Sequence, residues 1–222
     1  MIPVVTIDGP SGAGKGTIAQ NVARELGWGL LDSGSLYRLT ALACIQQTID
    51  FEDLSAIELI ARNLPVSFQS VPDGLKIFLN NEDVSDAIRE ETIGMAASKV
   101  AAMGGVRDAL LERQRAFVSA PGLIADGRDM GTTVFPQAPL KIFMTASCEE
   151  RAQRRYKQLK EKGISVSLAA LVADLKARDE QDSNRPISPL RPADDAIMID
   201  TSNMSIEQVT QKVLELVKQT FS

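Results

Sequence analysis

Residues Gly9–Thr17 read GPSGAGKGT, preceded by the short β-branched run Val4, Val5 and Ile7 and followed by Ile18, Ala19, Val22, Ala23 and Leu26 at helical spacing. A GxxxxGK pattern carries meaning in that context, between a strand and a helix. Glycines let the backbone curl so that successive amide N–H groups face one point, and the start of the helix adds partial positive charge there. Lys15 brings a full charge to the same place. The cup predicted from Gly9, Pro10, Ser11, Gly12, Ala13, Gly14, Lys15, Gly16 and Thr17 suits the β- and γ-phosphates of ATP.

Strands and helices alternate outward from this loop. Gly27 stands where a left-handed helix cap belongs, and Leu30 and Leu31 lead as a second strand into Asp32, Ser33 and Gly34, with Leu36 to Cys44 helical. Helical patterns cover Thr92 to Met103 and Val106 to Phe117, and buried-strand runs cover Leu123 to Ala125 and Leu140 to Met144. Ser147 with Glu150 forms a capping box for an Arg-rich helix that Gly163 closes, and Ser167 opens another helix reaching about Asp182. Ile197 to Ile199 supply a fifth strand, and Ser205 with Gln208 caps the last helix.

The predicted fold is therefore α/β: a five-stranded parallel P-loop core sheet flanked by helices. A small antiparallel insertion interrupts it where Val66 and Phe68 alternate, Pro72, Asp73 and Gly74 turn, and Leu75, Ile77 and Leu79 alternate again. One domain is expected, with core 1–62, 86–147 and 193–222, an insertion at about 63–85, and a short Arg-rich lid with adjoining helices at about 148–192. Ligands on such sheets bind beyond the carboxyl ends of the strands, where Asp8, Asp32, Asp126 and Asp200 all fall. Asp200 and Thr201 read first as an ordinary strand end, with adenine contact as the alternative.

Composition excludes rather than chooses. In 222 residues the net charge is -5, which argues against non-specific attraction to nucleic acid or an anionic membrane. Two cysteines without CxxC spacing and no histidine fit neither a disulfide framework nor a zinc site. No window approaches the roughly 20 apolar residues of a membrane helix, and the amino-terminal stretch lacks a basic lead, so a cytoplasmic monomer acting on small molecules is the expectation.

Four segments in order carry a resemblance: the GKGT-ending loop, DSGSLYR at Asp32–Arg38, LIADGRDMG at Leu123–Gly131 and RDEQDSNR at Arg178–Arg185. Together they resemble the bacterial-type cytidylate kinases of the nucleoside monophosphate kinase group. The resemblance implies transfer of a phosphoryl group from ATP, with Mg2+, to CMP or dCMP. It implies that Arg38, Arg128 and Arg185 hold the acceptor phosphate, that Ser98, Arg107 and Asp129 read the base, and that Arg178 and Asp182 contact the ribose, with Ser33 also in the CMP site. On the residues alone, Arg38, Ser98 and Arg107 read also as surface polar groups.

Physical chemistry supports several of these expectations. Guanidinium forks grip a phosphate dianion through paired N–H groups. Cytosine differs from uracil in offering an exocyclic amino donor, which a carboxylate such as Asp129 accepts. Where many P-loops place Ser or Thr after the lysine this chain has Gly16, and the hydroxyl comes at Thr17. Magnesium is then expected mostly through water and nucleotide, organised by Thr17 and by Asp126 at a strand end; Asp126 as a loop cap is the alternative.

Arg151, Arg154 and Arg155 crowd one helix side at i, i+3 and i+4, where like charges repel. A solvated charged face explains them, and so does a lid in which Arg154 and Arg155 join Lys15, Arg128 and Arg185 around the transferring group. No general base is needed, because a phosphate acceptor is already ionised near neutral pH. A P-loop kinase for UMP or another small anionic metabolite is the nearer alternative, separable by rates with different monophosphates. A nucleotide-dependent switch is the more distant one, separable by ATP turnover indifferent to any acceptor.

Overall fold

The structure is a computed structural model describing the backbone of residues 2–71, 74–161 and 163–221. Its strands are β1 (Val4–Asp8), β2 (Gly29–Asp32), β3 (Val66–Val71), β4 (Gly74–Leu79), β5 (Glu82–Asp83), β6 (Leu123–Gly127), β7 (Leu140–Thr145) and β8 (Ile197–Asp200). Its helices are α1 (Lys15–Leu26), α2 (Ser33–Gln46), α3 (Leu54–Arg62), α4 (Glu91–Ala101), α5 (Gly104–Arg115), α6 (Cys148–Glu161), α7 (Leu168–Asn184) and α8 (Ile206–Phe221). Packing divides the chain into two compact units, Met1–Asp32 with Arg115–Ser222 and Ser33–Gln114.

The first unit holds a five-stranded sheet in the order β2-β6-β1-β7-β8, every pairing parallel. β1 and β6 are buried along their whole length, which is why they read as continuous apolar runs rather than alternating ones. Val5, Ile7, Ile124, Ile142 and Met144 pack with Ile18 and Val22 of α1 and Val209 and Val213 of α8 in one core. Parallel pairing brings every strand's carboxyl end to one edge, and Asp32 and Asp126 stand in register there. α6 and α7 make a smaller cluster of their own through Ala152, Leu171 and Leu175.

The caps expected from sequence form. Ser147 Oγ accepts from Glu150 N at 3.1 Å, Ser167 Oγ from Ala170 N at 3.4 Å, and Ser205 and Gln208 bond each other's backbone N–H at 3.2 and 2.9 Å. Each satisfies an N–H group that a helix start otherwise leaves without an intrahelical partner.

The second unit contains the antiparallel sheet β3-β4-β5. The turn expected at Pro72 and Asp73 lies outside the described residues. This unit extends well beyond the 63–85 insertion, because Leu39, Leu42 and Ala43 of α2, Ile88 and Ile93 share one apolar cluster with Leu64, Ile77, Leu79 and Val84. α3 has no counterpart in the pattern reading. Its signal was an Asp53 cap, whose side chain accepts from Ala56 N at 3.0 Å, ahead of buried Ile57 and Ala61.

Candidate active site

Between β1 and α1 the loop takes a path that requires glycine. Gly9 has φ +149°, and a Cβ there would lie 2.1 Å from the Met144 carbonyl oxygen; Gly14, capping α1, has φ +89°. β7 therefore runs against the loop and sets its height. Thr201, just past β8, is buried with its hydroxyl 3.3 Å from Ala13 O and 3.1 Å from Thr145 O, able to donate to one at a time. Lys15 is buried, and its ammonium donates to Pro10 O at 2.9 Å. Thr17 is exposed on the first turn of α1.

Around Lys15 the strand ends gather charge out of water. Asp8 accepts from Met130 N and Gly131 N at 2.8 Å each, fixing the wide turn Met130–Val134 that follows the DGRD stretch. Burial nonetheless pushes its pKa up to about 6. Burial also raises Asp126, to about 7, against the pull of Lys15. Lys15 itself is drawn down to about 8, first by burial and next by the nearby charge of Arg128. Two cations and several carboxyl groups thus share one poorly hydrated place with their charges imperfectly balanced. A polyanion with its counter-cation would complete that balance.

The acceptor-side residues expected from sequence are brought together in part. Arg128 Nε donates to Asp182 Oδ2 at 2.9 Å, and against the lowering effect of burial the Asp182 carboxylate helps hold the guanidinium pKa above its ordinary value. Arg185 and Asp129 approach at 3.9 Å, both side chains almost wholly buried, and Arg178 is buried on α7 one turn before Asp182. All five lie in the first unit, with the phosphate-binding loop.

Ser33, Arg38, Ser98 and Arg107 lie in the second unit. Ser33 Oγ donates to Gln114 Oε1 at 2.8 Å, Arg38 Nη1 to Ile88 O at 2.7 Å, and Ser98 Oγ to Gly94 O at 3.2 Å. Arg107 is buried rather than surface-solvated, bonded to Ala101 O at 3.1 Å and set over the Tyr37 ring at 5.6 Å from its centre.

In the Arg-rich helix the three arginines have different surroundings. Arg151 is buried and bonded to Asp179, Ser11 O and Ala146 O, so it is not part of a solvated face. Arg154 donates to Thr201 O at 2.7 Å and to Glu150 at 3.2 Å, and Arg155 is partly exposed. Sequence reasoning missed the supporting roles of Asp8 and Thr201. A buried carboxylate at a strand end announces no partner until the opposite turn is folded against it.

A divalent cation held largely through water would fit this set of residues. Among the described residues no group of three acidic, His or Cys side chains forms a cage. A Cβ on Gly16 would lie 3.3 Å from Asp126 Oδ2, so the glycine leaves open space beside that carboxylate for hydrated cation.

Comparison with known proteins gives the family and the fold. A family model described as cytidylate kinase matches residues 5–219. The chain is 56% identical over 220 residues to a cytidylate kinase from Pseudomonas paraeruginosa, covering 98% of this chain and 96% of that one. It is 57% identical over 222 residues to a cytidylate kinase from Shewanella denitrificans, covering 99% and 98%. Among solved structures, a gluconokinase from Sinorhizobium meliloti superposes with a TM-score of 0.50 at 12% identity over 98% of this chain and 93% of its own, a likeness of fold.

Proposed function

The chain belongs to the cytidylate kinase family, and from that premise we propose that it transfers the γ-phosphoryl group of ATP to CMP or dCMP, giving ADP and CDP or dCDP. The observation that carries the reading is buried Lys15 bonded into the glycine cup at Pro10 O, with the charge of Arg128 near enough to lower the lysine's pKa. Two phosphates brought together there would relieve that mutual repulsion.

An oxygen of the acceptor phosphate attacks the γ-phosphorus while the bond to the β–γ bridging oxygen breaks and ADP leaves. The acceptor arrives as a dianion, so no side chain has to remove a proton. Loop N–H groups and Lys15 hold the leaving phosphates, and Lys15 exchanges its bond to Pro10 O for one to phosphate. Arg128 and Arg185 grip the acceptor phosphate, with Asp182 orienting the Arg128 fork. Asp126 and Thr17 would hold the waters of a magnesium ion bound with ATP, which would supply charge neutralisation to the phosphates.

Asp129 is proposed to accept from the cytosine amino group, and Arg178 and Asp182 to contact the ribose. Ser33, Arg38, Ser98 and Arg107 are proposed as further CMP ligands, and Arg154 and Arg155 as lid arginines; family membership supports these assignments. A net charge of -5 supports small-molecule substrates rather than nucleic acid or membrane, and the reading has a cytoplasmic monomer.

A coupled ADP-release assay across CMP, dCMP, UMP and AMP tests the proposal. CMP and dCMP should exceed UMP and AMP by at least roughly tenfold in kcat/KM. A preference for UMP would overturn the base assignment, and ATP turnover indifferent to any monophosphate would overturn the kinase reading.

A further inference from the structure

Arg151 is the one member of the arginine trio that the mechanism above leaves without a task. Its side chain is 4% exposed, yet it stands in the first turn of α6. The guanidinium donates to Ser11 O at 2.8 Å and to Ala146 O at 3.1 Å, and both its terminal nitrogens bond the Asp179 carboxylate. Its stem presses on the phosphate-binding loop, since a Cβ on Gly12 would lie 3.3 Å from Arg151 Cβ.

Asp179 sits on α7 between Arg178 and Asp182, and Asp182 holds Arg128. One guanidinium therefore ties the loop assigned to ATP to the helix assigned to the acceptor. A pair that only neutralised buried charge could be exchanged for packed apolar groups at little cost. Here two of the bonds end on backbone carbonyls at fixed points, Ser11 in the loop and Ala146 past β7, which sets positions as well as charge.

We propose that Arg151 and Asp179 form a positioning strut that couples the two nucleotide sites, so that occupation of the phosphate-binding loop strengthens binding of CMP and the reverse. The inference rests on the proposed kinase reading. Ordering of the loop by ATP is passed through Ser11 O to Arg151, from there to Asp179, and along one turn of α7 to Asp182 and Arg128. Such coupling is reciprocal by linkage: each ligand must tighten the other by one factor.

The test measures dissociation constants for CMP and for a non-hydrolysable ATP analogue, each alone and with the other saturating, together with kcat and both KM values. Wild type should show coupling of roughly fivefold or more. In Asp179→Asn the factor should fall toward one and kcat should drop roughly tenfold or more, with the ATP analogue alone bound within about twofold of wild type. Asp179→Glu should recover part of both. If Asp179→Asn does not fold, Arg151→Lys is read by the same criteria.

Absence of coupling in wild type, unchanged coupling and kcat in a folded variant, or loss of ATP binding alone in step with kcat would each overturn the strut. So would failure of both variants to fold, since the pair would then be a determinant of the fold. Failure of the kinase reading is separate, because it appears as wild-type ATP turnover that ignores CMP.

Discussion

Replacing Arg128 with alanine should remove the proposed acceptor grip while leaving the loop assigned to ATP intact. A guanidinium making two charge-assisted bonds to a dianion contributes about 1.5–3 kcal/mol per bond. Arg128 keeps 24% of its side chain exposed, so the lower part of that range applies, about 3–4 kcal/mol in all, or roughly 10²- to 10³-fold in kcat/KM for CMP. Asp182, 11% exposed, loses its partner at a cost of about 1–3 kcal/mol to stability, which lowers the unfolding temperature by about 2–4 °C per kcal/mol.

A second effect of the same change has the opposite sign. Arg128 is the strongest charge depressing the Lys15 pKa, so its removal raises that pKa and leaves more of the lysine charged above pH 8. ATP affinity should hold at pH 7.5 and improve at pH 9, while acceptor turnover collapses. ADP-release kinetics for CMP and direct titration of ATP at the two pH values measure both. Turnover within threefold of wild type, or ATP affinity lost in parallel with turnover, would refute the division of labour between Lys15 and Arg128.

Gly9→Ala should cost about 3 kcal/mol or more of stability in denaturant unfolding, because the new methyl meets the Met144 carbonyl, a backbone atom, at 2.1 Å. Asp129→Ala should narrow the CMP-to-UMP ratio of kcat/KM at least tenfold, and an equal slowing with both would contradict base readout. The pH dependence of stability follows from shifts whose signs differ. Asp8 and Asp126 are raised from 3.8 to about 6 and 7, so the folded state binds more protons in that window and their contribution falls as pH rises through it. Lys15 is lowered from 10.5 to about 8, so its contribution rises again between those values. The ligand-free site should be least stable near pH 7–8, and Asp126→Asn should flatten the acid-side slope in a series of denaturant midpoints.

The phosphate-binding loop, the five parallel strands and the helix caps were legible because each is written locally. Glycine at positive φ, β-branched runs and Ser with Glu or Gln three residues on act over a handful of neighbours, and tertiary packing here agreed with them. α3 went unread: Asp53, Ile57 and Ala61 carry its signal, but its nine residues bury only one narrow stripe and the pattern is correspondingly faint. The DGRD stretch could be placed at a strand end, and Arg128 with it.

Partnerships across the sheet edge were not legible. Sequence spacing says that Arg151, Arg154 and Arg155 share a helix face; it does not say that Arg151 turns into the protein to meet Asp179, 28 residues on, and Ser11, 140 residues back. Nor does it say that Asp8 is spent on the backbone of Met130 and Gly131 while Asp126 stays beside Lys15. By itself the sequence determined which backbone shapes form and which residue types arrive at the phosphate end of the sheet. Only the tertiary structure decided which charges face one another out of water, since burial and distance, the two quantities that set the strength of a charged contact, are properties of the folded chain.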